Sequence, residues 1–344
     1  MDSTVLLSRS SEFAELVEKQ AGKYEFKKFL LGLVLPRELR KQLNLEEQEA
    51  LSKGLKIAIG RKLEQDWAAE GKIVEFKMPE VVFLIDIDPG KVHVQLNSLY
   101  VYGRYLKYSR EIPQSKWPCK RCKGKDCPKC GGTGKIYPTS VEELIAEPFL
   151  KHSKSNRTRF HCVGREDIDA RMLGSGRPFV LEIISPKKRF FDYGKTEREI
   201  NSKNDGVIGV RGLREVNKKA VEAVKSASPP KTYVALVECS ELVSEEELAK
   251  LSELEGRVLE QDTPTRVLHR RADKQRKRRI LGISAKPIDR THFELKVKAE
   301  AGTYIKEFIS GDEGRTRPSV SAALGKRCAC KQLDVTEVDF ELLG

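Results

Sequence analysis

Apolar positions recur at two periods along this chain. Between residues 45 and 67 they fall near every 3.6 residues among strong helix formers, which predicts a helix. Residues 81–85 and 92–96 read instead as strands, joined across the turn Asp88-Pro89-Gly90. The stretch 26–39 is apolar and basic, and residues 99–107 interleave Tyr100, Tyr102 and Tyr105 with Arg104 and Lys107. Further on, Ser140 with Glu143 is a capping-box signature that opens a helix through Leu150. Strands are predicted at 179–185, 233–238, 280–285 and 293–299, the last alternating Phe293, Leu295, Val297 and Ala299. Helices fit 216–226, with Val216, Ala220, Val221 and Val224 on one face, and 245–254, capped by Ser244. Strands and helices intermix without strict alternation, which predicts an α+β fold with a mixed or antiparallel sheet.

Three sections follow from this pattern: residues 1–115, 116–137 and 138–344. A chain of 344 residues has room for two or three cores, but the middle section is too polar and Gly-rich to build one. It holds Cys119-x-x-Cys122 and Cys127-x-x-Cys130, two pairs separated by four residues. Each pair can grip one ion from a tight turn, and four thiolates make a closed structural zinc site with no position open for chemistry. Metal would then supply the order that an apolar core does not. The remaining cysteines (Cys162, Cys239, Cys328 and Cys330) are expected to be small buried hydrophobes.

Charge narrows the partner. Lys and Arg number 64 against 51 for Asp and Glu, a net +13, which favours a polyanion. Seven basic residues lie between Arg270 and Arg279 against one acid, Asp273, so an external anion is expected there, on a loop that orders with its ligand. No apolar stretch approaches the length of a membrane span. The start, Met1-Asp2-Ser3-Thr4, has neither the charged nor the apolar region of a signal peptide, and the expected location is the cytoplasm.

The densest chemistry lies in residues 164–179, where Asp167 and Asp169 are set among Arg165, Arg171 and Arg177 and three glycines. It reads as a tight polar turn that delivers acidic groups to the mouth of a sheet, with arginines able to hold a carboxylate ionised or clamp a phosphate. Downstream, Lys231-Thr232-Tyr233 opens a strand, and Gly302-Thr303-Tyr304-Ile305-Lys306 joins a strand to a helix. Neither a P-loop nor a strand-linked G-x-G-x-x-G is present, so no nucleotide-type cofactor loop is read.

The run Gly164-Arg-Glu-Asp-Ile-Asp169 closely resembles the aspartate motif of the archaeal and eukaryotic tRNA pseudouridine-54/55 synthases, and Lys-x-Tyr and Gly-Thr-Tyr-Ile-Lys are similar to two further motifs of such enzymes. The resemblance covers residues from about 138 to 330 well. It implies a pseudouridine synthase domain that isomerises uridine in the T-loop of tRNA with no organic cofactor and no obligate protein partner. Carried onto this chain, Asp167 is the essential aspartate, preferred to Asp169 because the Gly-Arg-x-Asp spacing is the shared one. Tyr233 stacks on the base, Tyr304 is a second substrate tyrosine, and Lys306 is the cation paired with Asp167. Arg165, Arg270 and Arg271 are expected to contact RNA. The tail of the first section looks like the end of a THUMP-type RNA-binding domain, although its tyrosines are equally suited to packing in a half-buried strand. Many family members carry a metal pair near the N-terminus, whereas no cysteine precedes Cys119 here. The run Cys127-Pro-Lys-Cys-Gly-Gly also resembles the cysteine-rich repeats of J-domain co-chaperones, but only one such repeat is present and no J-domain. The alternative is a non-catalytic, zinc-containing RNA-binding protein.

Overall fold

The computed structural model describes residues 3–120, 122, 127, 128, 130–270 and 272–342. It separates into two compact units whose segments interleave along the chain. The first comprises the chain up to Tyr100 with Glu147–Arg159 and Glu182–Asp192, and the second comprises Val101–Ala146, Phe160–Leu181 and the chain from Tyr193.

The first unit opens with helices α1 (Ser3–Ser8) and α2 (Ser10–Ala21), then β1 (Lys28–Val34), α3 (Arg37–Gln42), α4 (Leu45–Asp66), β2 (Ile73–Val74), β3 (Val81–Asp86) and β4 (Lys91–Leu96). The predicted long helix is α4, fixed at its start by Asn44 and Glu47 in a reciprocal capping box. Its strands order β2-β1-β3-β4, with β3 and β4 antiparallel across the expected turn. Phe26, Phe29, Trp67 and Phe83 pack edge to face at the centre of this unit, alongside Leu55, Ile59 and Leu63 of α4.

Next come β5 (Leu99–Lys107), α5 (Val141–Ser153), β6 (Thr158–Cys162), β7 (Arg171–Ile183), α6 (Tyr193–Lys203), β8 (Ile208–Val216) and α7 (Lys219–Ser226). The chain continues with β9 (Lys231–Cys239), α8 (Glu245–Ala249), β10 (Val258–Gln261), β11 (Arg276–Pro287) and β12 (His292–Ala299). It ends with α9 (Ile305–Ser310), β13 (Thr316–Arg317), α10 (Val320–Leu324) and β14 (Cys328–Val338). The strands form one sheet in the order β13-β10-β11-β12-β9-β14-β7-β5-β8, with β6 against β7. Pairing is mixed: β14 runs parallel to β7 and antiparallel to β9. The fold is therefore α+β with a mixed sheet. The predicted alternation on β12 holds, and Phe293, Leu295, Val297 and Ala299 are all fully buried. Among the described residues no helix is long and apolar enough to cross a membrane.

Two local expectations change. The polar turn is shorter than 164–179, because β7 already begins at Arg171. Gly174 and Gly176 sit at positive φ inside that strand, where the main chains of Thr336 and Tyr105 leave no room for a side chain. The basic run is also strand from Arg276 onward, paired antiparallel with β10, rather than a loop. Alternation sends Arg276 and Arg278 toward a cleft, while Lys277 pairs with Glu260 at 3.0 Å. In β5, Tyr102 and Tyr105 are buried, so their rings pack within the protein.

Candidate active site

Gly164–Ala170 links β6 to β7 and is held from beneath by buried polar groups. Glu166 points inward and forms an ion pair with Arg177 of β7 at 2.8 Å, both side chains 1% exposed. Tyr105 donates its hydroxyl to the same carboxylate at 2.8 Å, and Gln114 donates to the Tyr105 oxygen and to the carbonyl of Gly164. Arg177 Nη1 also donates to the Val163 carbonyl at 2.7 Å. Lys107, fully buried, donates to the Ile168 carbonyl at 2.6 Å and reaches that of Asp167 at 3.4 Å. Burial pushes the Lys107 amine below the usual lysine range, against the pull of Glu166 and Asp169. Gly164 lies at positive φ, and a Cβ there would stand 3.3 Å from Arg177 Nη1. Each alternate residue is thus anchored, and Asp167 is turned outward.

Asp167 faces a cleft of about 490 Å³ that is also lined by Arg165, Tyr233, Tyr304 and Lys306. The volume lies within the range of sites for small organic ligands. Tyr233 comes from β9, where it is almost fully buried. Tyr304 precedes α9, with its main chain bonded both ways to the Gln261 side-chain amide at 3.0 Å. Arg165 is exposed at the rim. Arg270 closes the short 3-10 turn Thr265–Arg270, but its side chain, and Arg271 altogether, lie outside the described residues.

The cation nearest Asp167 is not the one expected. Lys306 stands 3.8 Å from Asp167 Oδ2, but its hydrogen bonds go to both oxygens of Asp169, at 2.6 and 2.9 Å. Partial burial opposes ionisation of Asp169, yet Lys306 outweighs it and holds that carboxyl below the usual range. Arg266 takes the closer place, with Nη1 2.9 Å from Asp167 Oδ2 and Nε 2.7 Å from Glu307 Oε1. A lone Arg in Thr263-Pro-Thr-Arg266 carries no spacing signal, and only the fold brings it across. Glu166, Tyr105 and Lys107 carry no site signal in the sequence, because an inward carboxylate beside an outward one is invisible without the backbone path; Arg177, expected beside an aspartate, pairs with Glu166 instead.

The four cysteines come together at the end of a short stem. Pro118 bridges Lys135, Cys119 N donates to the Gly134 carbonyl at 2.7 Å, and the Trp117 and Tyr137 rings pack edge to face at 5.5 Å. All four Sγ atoms lie within 4.8 Å of one another, with Cys119 to Cys127 at 3.9 Å and Cys122 to Cys130 at 3.3 Å. Tetrahedral Zn–S bonds of about 2.3 Å require sulfur separations of about 3.8 Å, so the donor set fits that ion. Contact with Cys122 pushes the Cys130 thiol down to about 7, toward the thiolate that a metal needs.

A family model described as Pus10, C-terminal, matches residues 100–339, which include all these cleft side chains. The tRNA pseudouridine synthase Pus10 of Methanocaldococcus jannaschii is 45% identical over 317 residues, spanning 92% of this chain and 69% of that protein. The protein of the same name in Methanothermobacter marburgensis is 45% identical over 323 residues, spanning 91% and 79%. Among solved structures, a Cbf5-Nop10-Gar1 complex aligns with 69% of this chain and 48% of its own, at 18% identity and a TM-score of 0.38. The family match and the identities make the chain an isomerase of the pseudouridine synthase class. Within that class, it belongs to the Pus10 family.

Proposed function

We propose that this cleft isomerises uridine to pseudouridine in the T-loop of tRNA, at position 54, 55 or both, with Asp167 as the essential carboxylate. The observation that carries this reading is the outward turn of Asp167 against Arg266 in a cleft shared with Tyr233 and Tyr304. Pseudouridine formation breaks the N1–C1′ bond, turns the base in place and joins C5 to C1′. Nothing is oxidised and no atom is lost. The reaction needs a carboxylate at the sugar, an aromatic face to receive the everted base, and a wall that retains the detached uracil. Asp167 meets the sugar, aimed by Arg266, while Tyr233 and Tyr304 bracket the base. Arg165, Arg270, Arg271 and the cleft-facing side of β11 hold the phosphates of the opened loop.

In this reading the first unit acts as a THUMP-like accessory that binds RNA, and Cys119, Cys122, Cys127 and Cys130 hold a structural zinc. Bound zinc would close the tip of the 116–137 segment and take no part in chemistry.

The test is incubation with unmodified tRNA in the absence of any cofactor, followed by carbodiimide labelling and reverse transcription. Stops in the T-loop are expected, and Asp167→Ala should abolish them while retaining tRNA binding. RNA retention without stops in the parent protein would leave the chain a binding module. Full activity of Asp167→Ala would remove the carboxylate from the mechanism.

A further inference from the structure

The cleft holds one amine that the reading above leaves unused. Lys231 begins β9 two residues before Tyr233, so the two side chains share a face of the strand, and both line the cleft. It is 7% exposed. Its Nζ donates to the Pro229 carbonyl at 3.1 Å, and among the described residues it has no carboxylate within ion-pair reach. The acids around it are already engaged: Glu166 with Arg177, Asp167 with Arg266, and Asp169 with Lys306. Its position beside the turn at Gly164, whose Cβ would stand 3.8 Å from Nζ, sets it on the Asp167 side of the cleft.

We propose that the Lys231 ammonium donates a hydrogen bond to a carbonyl oxygen of the departing uracil. This rests on the reading of the cleft as a pseudouridine synthase site. As the N1–C1′ bond breaks, its electron pair leaves with the base, and the negative charge spreads over N1, O2 and O4. A donor fixed in a half-closed cleft stabilises that charge without transferring its proton. The pair returns when C5 bonds to C1′, and the proton lost from C5 is replaced by one at N1, so lysine ends as it began. A cation with a carboxylate partner would spend its attraction on that partner, whereas Lys231 has only a backbone oxygen.

Protonation can be read directly. Burial, aided by the Arg177 charge on β7, brings the Lys231 amine down to about 8. The other titratable or charged groups lining the cleft are Arg165, Glu166 and Asp167 of the turn, Arg177 of β7, Tyr233, Arg266, Arg276 and Arg278 of β11, Tyr304 and Lys306. Arginines hold their charge throughout the range, and burial raises the Tyr233 phenol above its usual range. A falling limb of kcat near or somewhat above pH 8 is therefore the Lys231 signature.

The experiment measures kcat and KM on unmodified tRNA from pH 6.5 to 10 for the parent, Lys231→Met and Lys231→Arg. Lys231→Met should lose about 10²-fold in kcat with KM changed less than about threefold, and should lose the alkaline limb. Lys231→Arg should retain part of the rate and stay flat to pH 10, since its charge does not titrate. Circular dichroism melting confirms that each variant is folded before its rate is interpreted. A Lys231→Met protein with parental kcat, or an unchanged alkaline limb in the Lys231→Arg protein, would overturn the inference alone. A parent that makes no pseudouridine would overturn the underlying reading instead.

Discussion

Arg266 donates to Asp167 at 2.9 Å from a turn about a hundred residues downstream, and the other arm of the same guanidinium rests on Glu307. One side chain thus sets the aim of Asp167, and it is fixed to the helix that follows Tyr304. Arg266→Met is expected to reduce kcat by about 10²-fold with little change in RNA affinity. Arg266→Lys should recover only part of this, because an ammonium cannot span both carboxylates in a fixed fork. Steady-state kinetics on tRNA decide it, and an Arg266→Met protein that changes only KM would show that the arginine merely binds RNA.

Glu166→Gln removes the counter-charge of a guanidinium that is 1% exposed. Arg177 would be left charged in the interior, and breaking such a pair costs about 3–5 kcal/mol. The urea midpoint should fall accordingly with an unchanged slope. Replacing both partners, as Glu166→Gln with Arg177→Met, should restore part of the loss. A single variant within about 0.5 kcal/mol of the parent would mean that the pair does not hold the loop.

For the cysteine cluster, about one zinc per chain is expected by elemental analysis of purified protein. Trp117 lies beside the stem and is one of only two tryptophans, so stripping the metal should shift its emission. Cys122→Ser should reduce the zinc content several-fold. A metal-free protein with unaltered Trp117 fluorescence would argue against the site.

Lys231 also links stability to pH. It loses its proton near 8 in the fold and near 10.5 when exposed, so the unfolded chain binds more protons between those values and stability rises with pH across that window. Below pH 8 the cost of holding the charge inside is complete. Lys231→Met should therefore be more stable than the parent near neutrality, by up to about 3 kcal/mol, with its lead shrinking as pH approaches 10.5. Denaturant melts at pH 7, 9 and 10.5 provide the check, and a constant lead would assign the effect to packing.

Local signals survived into the structure where side chains report their own surroundings. The capping groups Ser140 and Ser244, the alternation of β12 and the paired cysteines are all of this kind. Asp167, Tyr233, Tyr304 and Lys306 do line one cleft. What escaped depends on partners distant in sequence. β14 has irregular apolar spacing, broken by bulges near Cys330 and Val335, so no period announces it. The exchange of cations, Lys306 to Asp169 and Arg266 to Asp167, follows from loop geometry that composition does not encode. The interleaving of two units has no mark in linear composition either.

The place of β14 in the sheet has a bearing on biogenesis. It lies between β9, which carries Tyr233, and β7, which follows the Asp167 turn. On a ribosome, those two strands have no common neighbour until residues 328–338 have emerged, so a nascent chain lacking them exposes two unpaired edges. The sheet beneath the working cleft is therefore complete only once β14 is present, and chains stalled before that point are expected to aggregate rather than act as slow enzymes.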